Sequence, residues 1–143
     1  MSRDPDCVFC KVVAVELPAS VVYEDEGVVA FLDIAPLAEG HILVVSREHH
    51  TRFSEFPPQE CAKLASVLPA LGRALMDVTG AEGFNLLVNE GVVAGQAVDH
   101  LHFHLIPRKE GDLLGYRWNA GKYKDGRATE LAAAYQAALA KRQ

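Results

Sequence analysis

Apolar positions along the chain fall into short blocks with two different periods. Val8, Val12 and Val13 recur at helical spacing within residues 7–16, which predicts a short helix ending before Pro18. Val21-Val22-Tyr23 and the run from Val28 to Ile34 read as strands, joined across Glu24-Asp25-Glu26-Gly27 as a hairpin. A third strand runs from His41 to Ser46 and is entered through Ala35-Pro36-Leu37-Ala38-Glu39-Gly40. From Pro57-Pro58 onward, Cys61, Leu64, Leu68, Leu71, Leu75 and Met76 recur every three or four residues, the apolar stripe of one long helix. Pro69 inside it predicts a kink, since proline removes a backbone donor. Phe84 to Asn89 reads as a fourth strand, Glu90 to Asp99 as a loop and residues 100–106 as a fifth strand. Beyond Thr129, Leu131, Tyr135, Ala138 and Leu139 predict an amphipathic C-terminal helix. Hairpin-like links and segregated helices imply an α+β domain with a five-stranded antiparallel sheet, one long helix, one C-terminal helix and a short N-terminal one.

At 143 residues the chain is expected to form a single domain spanning 1–143. Half its residues are apolar and 23% are charged, an ordinary globular composition. The net charge of -5, with Lys and Arg scattered, disfavours a nucleic-acid partner, which calls for a basic face. A small anionic ligand remains compatible, because backbone N–H groups and histidines can hold a phosphate. No apolar run approaches the roughly 20 residues that span a bilayer, and the first residues carry no basic-then-apolar signal pattern, so a cytoplasmic location without membrane contact is expected. Three cysteines make an odd count, which argues against a disulfide framework. Cys61 lies in the helical stripe and reads as core. Cys7 and Cys10 form a C-x-x-C that suits either a redox pair or half a metal site. The thioredoxin-like βαβ setting of the former is missing, and no second C-x-x-C exists for a four-cysteine site.

All six histidines fall in two stretches: His41, His49 and His50, then His100, His102 and His104. In His100-Leu101-His102-Phe103-His104-Leu105-Ile106 the alternation places three imidazoles on one face of a strand and Leu101, Phe103 and Leu105 on the other. One metal cannot take all three, because the first and third attach roughly 13 Å apart on a straight strand. His102, flanked on its own face by two imidazoles, suits a nucleophile or base whose tautomer is set by its neighbours. Upstream, Asn89 to Asp99 carries Gly91 and Gly95, and glycine lets successive N–H groups approach an anion.

With these residues the chain resembles the histidine-triad (HIT) family of nucleotidyl hydrolases and transferases, and is most like its small bacterial-type members. The pattern His-φ-His-φ-His-φ-φ, with φ apolar, matches residues 100–106 at every position. Asn89 to Arg108, Val28 to Pro36 and Gly40 to Val45 are similar to the family as well, so the likeness extends from Cys7 to about Trp118. The resemblance implies a HIT-like fold whose sheet joins a second copy into a ten-stranded homodimer, and a site for a purine nucleoside monophosphate. By position, Val8, Phe9, Phe31, Leu32, Ile34 and Leu43 would wall the base, and Asp33 would accept from the ribose hydroxyls.

The same resemblance implies the chemistry. His102 would attack the α-phosphorus, His104 would contact the phosphate or its bridging atom, and His100 would orient His102. Asn89, Gly95, Gln96 and the backbone around Ala97 and Val98 would hold the phosphate oxygens. The activity implied is hydrolysis of nucleoside 5′-phosphoramidates or related phosphoryl-X compounds, with dinucleoside polyphosphate hydrolysis and nucleotide binding with little catalysis as alternatives. Ala97 departs from the pattern, since many members carry Ser or Thr there. In bacterial-type members, Cys7, Cys10, His49 and His100 would hold a structural zinc, with no organic cofactor. A competing family reading has His41, His49 and His100 relay protons. His50 reads as a surface residue.

Overall fold

The computed structural model describes residues 3–115 and 120–141, so Trp118 lies outside the described residues. Two compact units divide the chain, residues 1–113 and 114–143. The first contains α1 (Val8–Val13), β1 (Val21–Glu24), β2 (Val28–Leu32), β3 (Ile42–Ser46), α2 (Pro58–Thr79), β4 (Gly83–Val88) and β5 (His102–Arg108). Short 3-10 turns lie at Phe53–Glu55 and Val92–Ala94. The five strands form one antiparallel sheet in the order β1-β2-β3-β5-β4. Among the described residues no helix is long and apolar enough to cross a membrane.

Strand alternation divides the apolar residues between the two faces of the sheet. Val28, Ala30, Ile42, Val44, Leu101, Phe103 and Leu105 pack with the α2 stripe of Leu64, Leu68, Leu71 and Leu75, and Cys61 packs against the same core. On the other face Val29, Phe31, Leu43 and Val45 pack with Cys7, Phe9 and Cys10 of the α1 segment. α1 is short because the chain leaves it through Val15 at φ 60° and then meets Pro18. Its N-cap is Cys7, whose sulfur accepts from the Cys10 N–H at 3.4 Å.

α2 starts with Pro58 at its first position and ends at Gly80, whose φ of 72° suits a left-handed cap. It continues through Pro69 as one helix. Pro69 and Ala65 both face solvent, so the carbonyl left without its partner can bond water. At Gly72 the helix lies so close to β4 that an added Cβ would sit 2.5 Å from Phe84 Cζ.

Most strand boundaries differ from the expected ones by one or two residues, and at two of them a bond outside the ladder accounts for it. β2 ends at Leu32, since the Asp33 side chain turns the chain by accepting from the Ala35 N–H at 2.9 Å. β5 starts at His102 and continues to Arg108. His100 and Leu101 bond to Ser46 and His50 outside the regular ladder, at 2.7 and 2.6 Å. In the second unit, α3 (Arg127–Ala140) follows Gly126 and carries an Arg127–Glu130 ion pair at 3.0 Å.

Candidate functional site

His102 and His104 project from β5 on the face that carries Phe9, while Phe103 and Leu105 enter the α2 core. The His102 ring is 6% exposed, 5.1 Å from the Phe9 ring and 4.9 Å from that of His104. Its Nδ1 lies 2.6 Å from the backbone carbonyl oxygen of His100. A carbonyl can only accept, so Nδ1 carries a proton, and the tautomer this selects has its lone pair on Nε2. His100 therefore orients His102 through its backbone.

A second chain of hydrogen bonds sets the tautomer of His104. The Leu37 N–H donates to His41 Nδ1 at 3.1 Å, which leaves the His41 proton on Nε2. That atom lies 2.9 Å from His104 Nδ1 and donates to it, so His104 holds its own proton on Nε2. His104 is lowered to about 4, by burial first and then by the neighbouring His102 and His41. Burial also lowers His41, against the opposing pull of Asp33, whose Oδ2 is 3.8 Å from His41 Nε2. Both rings are neutral at pH 7, and the direction of the chain is fixed. The His41–His104 pair is not evident in sequence because 63 residues separate the partners. The β3–β5 register, with Leu43 opposite His104, brings them together.

The loop before β5 is braced from within. Gly91 and Gly95, at φ 87° and 95°, flank its 3-10 turn. Gln96 is buried, and its amide donates to the carbonyls of Thr51 and Val98 at 2.9 and 3.1 Å and accepts from the Gly91 N–H at 2.9 Å. Its backbone N–H bonds Gly91 as well. Gln96 thus holds the loop in shape and has no donor left over for a phosphate. Among the described residues the N–H groups of Ala97 and Val98 donate to no protein acceptor, and Asn89 Nδ2 makes only a 3.5 Å contact with the Gly95 carbonyl.

Of the six residues expected to wall a base, Phe9, Phe31 and Leu43 are buried together, with the two phenyl rings 5.6 Å apart and edge-on. Val8 is half exposed on α1, and Ile34 lies beyond β2 at 97% exposure. Leu32 is on the opposite face, where it lines a cavity of about 600 Å³ with Ile42, Leu71 and Leu75. Consecutive strand residues face opposite ways, so Leu32 cannot share a wall with Phe31, and that expectation is corrected. Asp33 uses Oδ1 in its turn and keeps Oδ2 towards His41.

Cys7, Cys10, His49 and His100 converge behind this site. Cys7 Sγ is 3.3 Å from His100 Nδ1, and Cys10 Sγ is 3.3 Å from His49 Nδ1 and 3.6 Å from His100 Nδ1. Sulfur and nitrogen bound tetrahedrally to one zinc ion lie about 3.5 Å apart, so the spacing fits that ion. His100 Nε2 donates to the Ser46 carbonyl at 2.7 Å, which turns the lone pair of Nδ1 towards the sulfurs. Burial lowers His100 to about 4, so it stays neutral as a ligand must, while burial raises the Cys7 thiol, whose proton a bound ion would displace. The Ser46 carbonyl has no sequence signature.

Residues 14–111 match the HIT domain. The chain belongs to the HIT family. A crystal structure from Streptococcus mutans UA159 superimposes on this HIT protein with a TM-score of 0.93 at 39% identity, covering 96% of this chain and 88% of that one. A zinc-bound histidine triad family protein from Mycobacterium smegmatis gives a TM-score of 0.73 at 36% identity, covering 94% and 97% of the respective chains. Adenosine 5′-monophosphoramidase of Candida albicans is 36% identical over 84% of this chain and 82% of its own length.

Proposed function

We propose that this HIT protein hydrolyses nucleoside 5′-phosphoramidates or related nucleoside-5′-phosphoryl-X compounds through a nucleotidyl-histidine intermediate, releasing nucleoside monophosphate. The observation that carries the reading is the pair of opposed tautomers: a lone pair on His102 Nε2 beside an N–H on His104 Nε2. The named activity of the Candida albicans relative supports the substrate class. The lone pair of His102 forms the nitrogen–phosphorus bond, and the bond from phosphorus to X breaks with its electron pair leaving on X. The ring becomes cationic as it does so, and its Nδ1–H bond to the His100 carbonyl strengthens with that charge. His104 donates to the bridging atom or a phosphoryl oxygen, while the Ala97 and Val98 N–H groups and Asn89 receive the remaining oxygens. Water then attacks phosphorus, its proton passes to solvent, and the nitrogen–phosphorus electron pair returns to His102. Phe9, Phe31 and Leu43 form an apolar slot for the base, and Asp33 Oδ2 accepts from the ribose.

We further infer a structural zinc on Cys7, Cys10, His49 and His100, supported by the spacing of the four donors and by the zinc-bound Mycobacterium smegmatis protein. Two thiolates and two imidazoles close the coordination shell, so the ion supplies a cross-link and no chemistry at phosphorus. His100 as a ligand leaves any proton relay. A homodimer joined along β4 is part of the same proposal, supported by the position of that strand at the sheet edge and the half-exposed Leu86 and Leu87. Sedimentation equilibrium is expected to give twice the chain mass; a monomer at micromolar concentration contradicts it.

The test of function is release of AMP from adenosine 5′-phosphoramidate by wild type and by His102→Ala, with circular dichroism as the folding control. Turnover is expected in wild type, with a loss of at least about a thousandfold in the variant. Equal turnover in both refutes the nucleophile. Absence of turnover in both, with AMP still bound, identifies a binding protein.

A further inference from the structure

His49 faces the Cys7–Cys10 cluster, and its neighbours Glu48 and His50 gather with Glu60 in a second group of ligating side chains. His50 is not the surface residue its sequence position suggests. Its side chain is 20% exposed and its ring meets Phe56 edge-on at 5.1 Å, on the α2 side of the sheet. Nε2 lies 3.2 Å from Glu60 Oε2 and 3.9 Å from Glu48 Oε2, and the three donor atoms all fall within 4.8 Å of one another. Nε2 is shut off from solvent, yet it has no hydrogen-bond partner. Neither oxygen stands where a ring N–H would point, close as both are.

Donors that surround an ion aim at a common centre and not at one another. Two ligands at about 2.0–2.2 Å from that centre lie up to about 4.4 Å apart, a span that includes both His50 separations. Charge favours the same answer. Two carboxylates at this range repel, and among the described residues Lys63 pairs with neither, while Arg47 is taken by Glu24 at 2.9 Å. Glu48 and Glu60 also line an open depression of about 580 Å³, which leaves room for water to complete a coordination shell.

We propose that Glu48, His50 and Glu60 form a second cation site, separate from the Cys/His cluster, for a first-row divalent ion of zinc's class. One imidazole nitrogen with two carboxylate oxygens is a borderline donor set that suits such an ion better than magnesium or calcium. The bound ion ties the segment after β3 to the first turn of α2.

Zinc binding to untagged protein is measured by equilibrium dialysis, comparing wild type with His50→Gln and Glu60→Gln. Wild type is expected to bind one equivalent more than either variant, or to bind that ion at least about tenfold more tightly, since even groups one shell further out are worth about 10–100-fold. The difference does not depend on what the Cys/His cluster holds, nor on catalysis. The imidazole ¹⁵N resonance of His50 Nε2 is expected to shift on addition of that last equivalent. Identical isotherms for the three folded proteins overturn the site. So does an extra ion that survives both substitutions and is lost in His41→Asn, which places it on Asp33, His41 and His104. Should His50→Gln fail to fold, the exposed Glu60→Gln decides alone.

Discussion

His104 is held neutral by burial and by its two imidazole neighbours, and this has a consequence for stability. In the unfolded chain its pKa is near 6.5, and in the folded protein it is about 4. Between those values the unfolded chain binds the additional proton, so stability is intact above pH 6.5 and is lost as pH falls towards 4. The groups that face it, His102, His41 and Asp33, include only one carboxylate to offset the charge. With solvent screening allowed for, the loss is roughly 1–2 kcal/mol. Urea melts between pH 7 and 4.5 are expected to show a shallower decline for His104→Asn than for wild type. Equal slopes would falsify the assignment. At this scale the sequence was legible where chemistry and periodicity coincide, as in the His102–His104 alternation on β5. It was silent where a partner is distant in the chain: His41 beneath His104, the Ser46 carbonyl behind His100, and Glu60 beside His50. Gln96 and Leu32 show the opposite error. Each lies within a motif, but loop bracing takes all the donors of the first and strand alternation turns the second away.

At the scale of elements, periodicity located every strand and α-helix of the sheet unit, and two of the shifted boundaries arise where bonds form outside the regular ladder. Asp33 stops β2, and the bonds from His100 and Leu101 delay β5. Close approach is a feature no periodicity reveals, and Gly72 illustrates it. Alanine at an exposed helix position stabilises by about 1 kcal/mol relative to glycine. Here the added Cβ meets the Phe84 ring at 2.5 Å and 2.7 Å, so the ring or the helix must shift and give up packing against the core. Gly72→Ala is therefore expected to reverse the usual sign and destabilise by about 1–3 kcal/mol, the cost of overpacking. Chemical denaturation checks this. A stabilised variant means α2 can slide on β4 without loss.

At the scale of the whole sheet unit, the Cys/His cluster joins three separate parts of the chain. Cys7 and Cys10 come from α1, His49 from the segment after β3, and His100 from the approach to β5. α1 is only six residues long and cannot hold its place by helix formation alone. Phe9 on that helix nonetheless packs against both His102 and Phe31. If zinc holds the cluster, its removal acts on stability and site together: α1 loosens, the His100 carbonyl shifts from His102 Nδ1, and the wall at Phe9 opens. Stripping the metal is expected to cost on the order of 3 kcal/mol, comparable to losing a covalent cross-link that closes a long loop. The melting temperature should fall and recover with one equivalent of zinc for the cluster. Because His102 is bound to the His100 backbone, kcat should fall more steeply than KM rises, and Cys10→Ser should reproduce the metal-free protein. Elemental analysis beside a thermal melt makes the case decidable. A protein proven free of zinc that melts and turns over like the loaded one shows that packing alone holds α1 against His102.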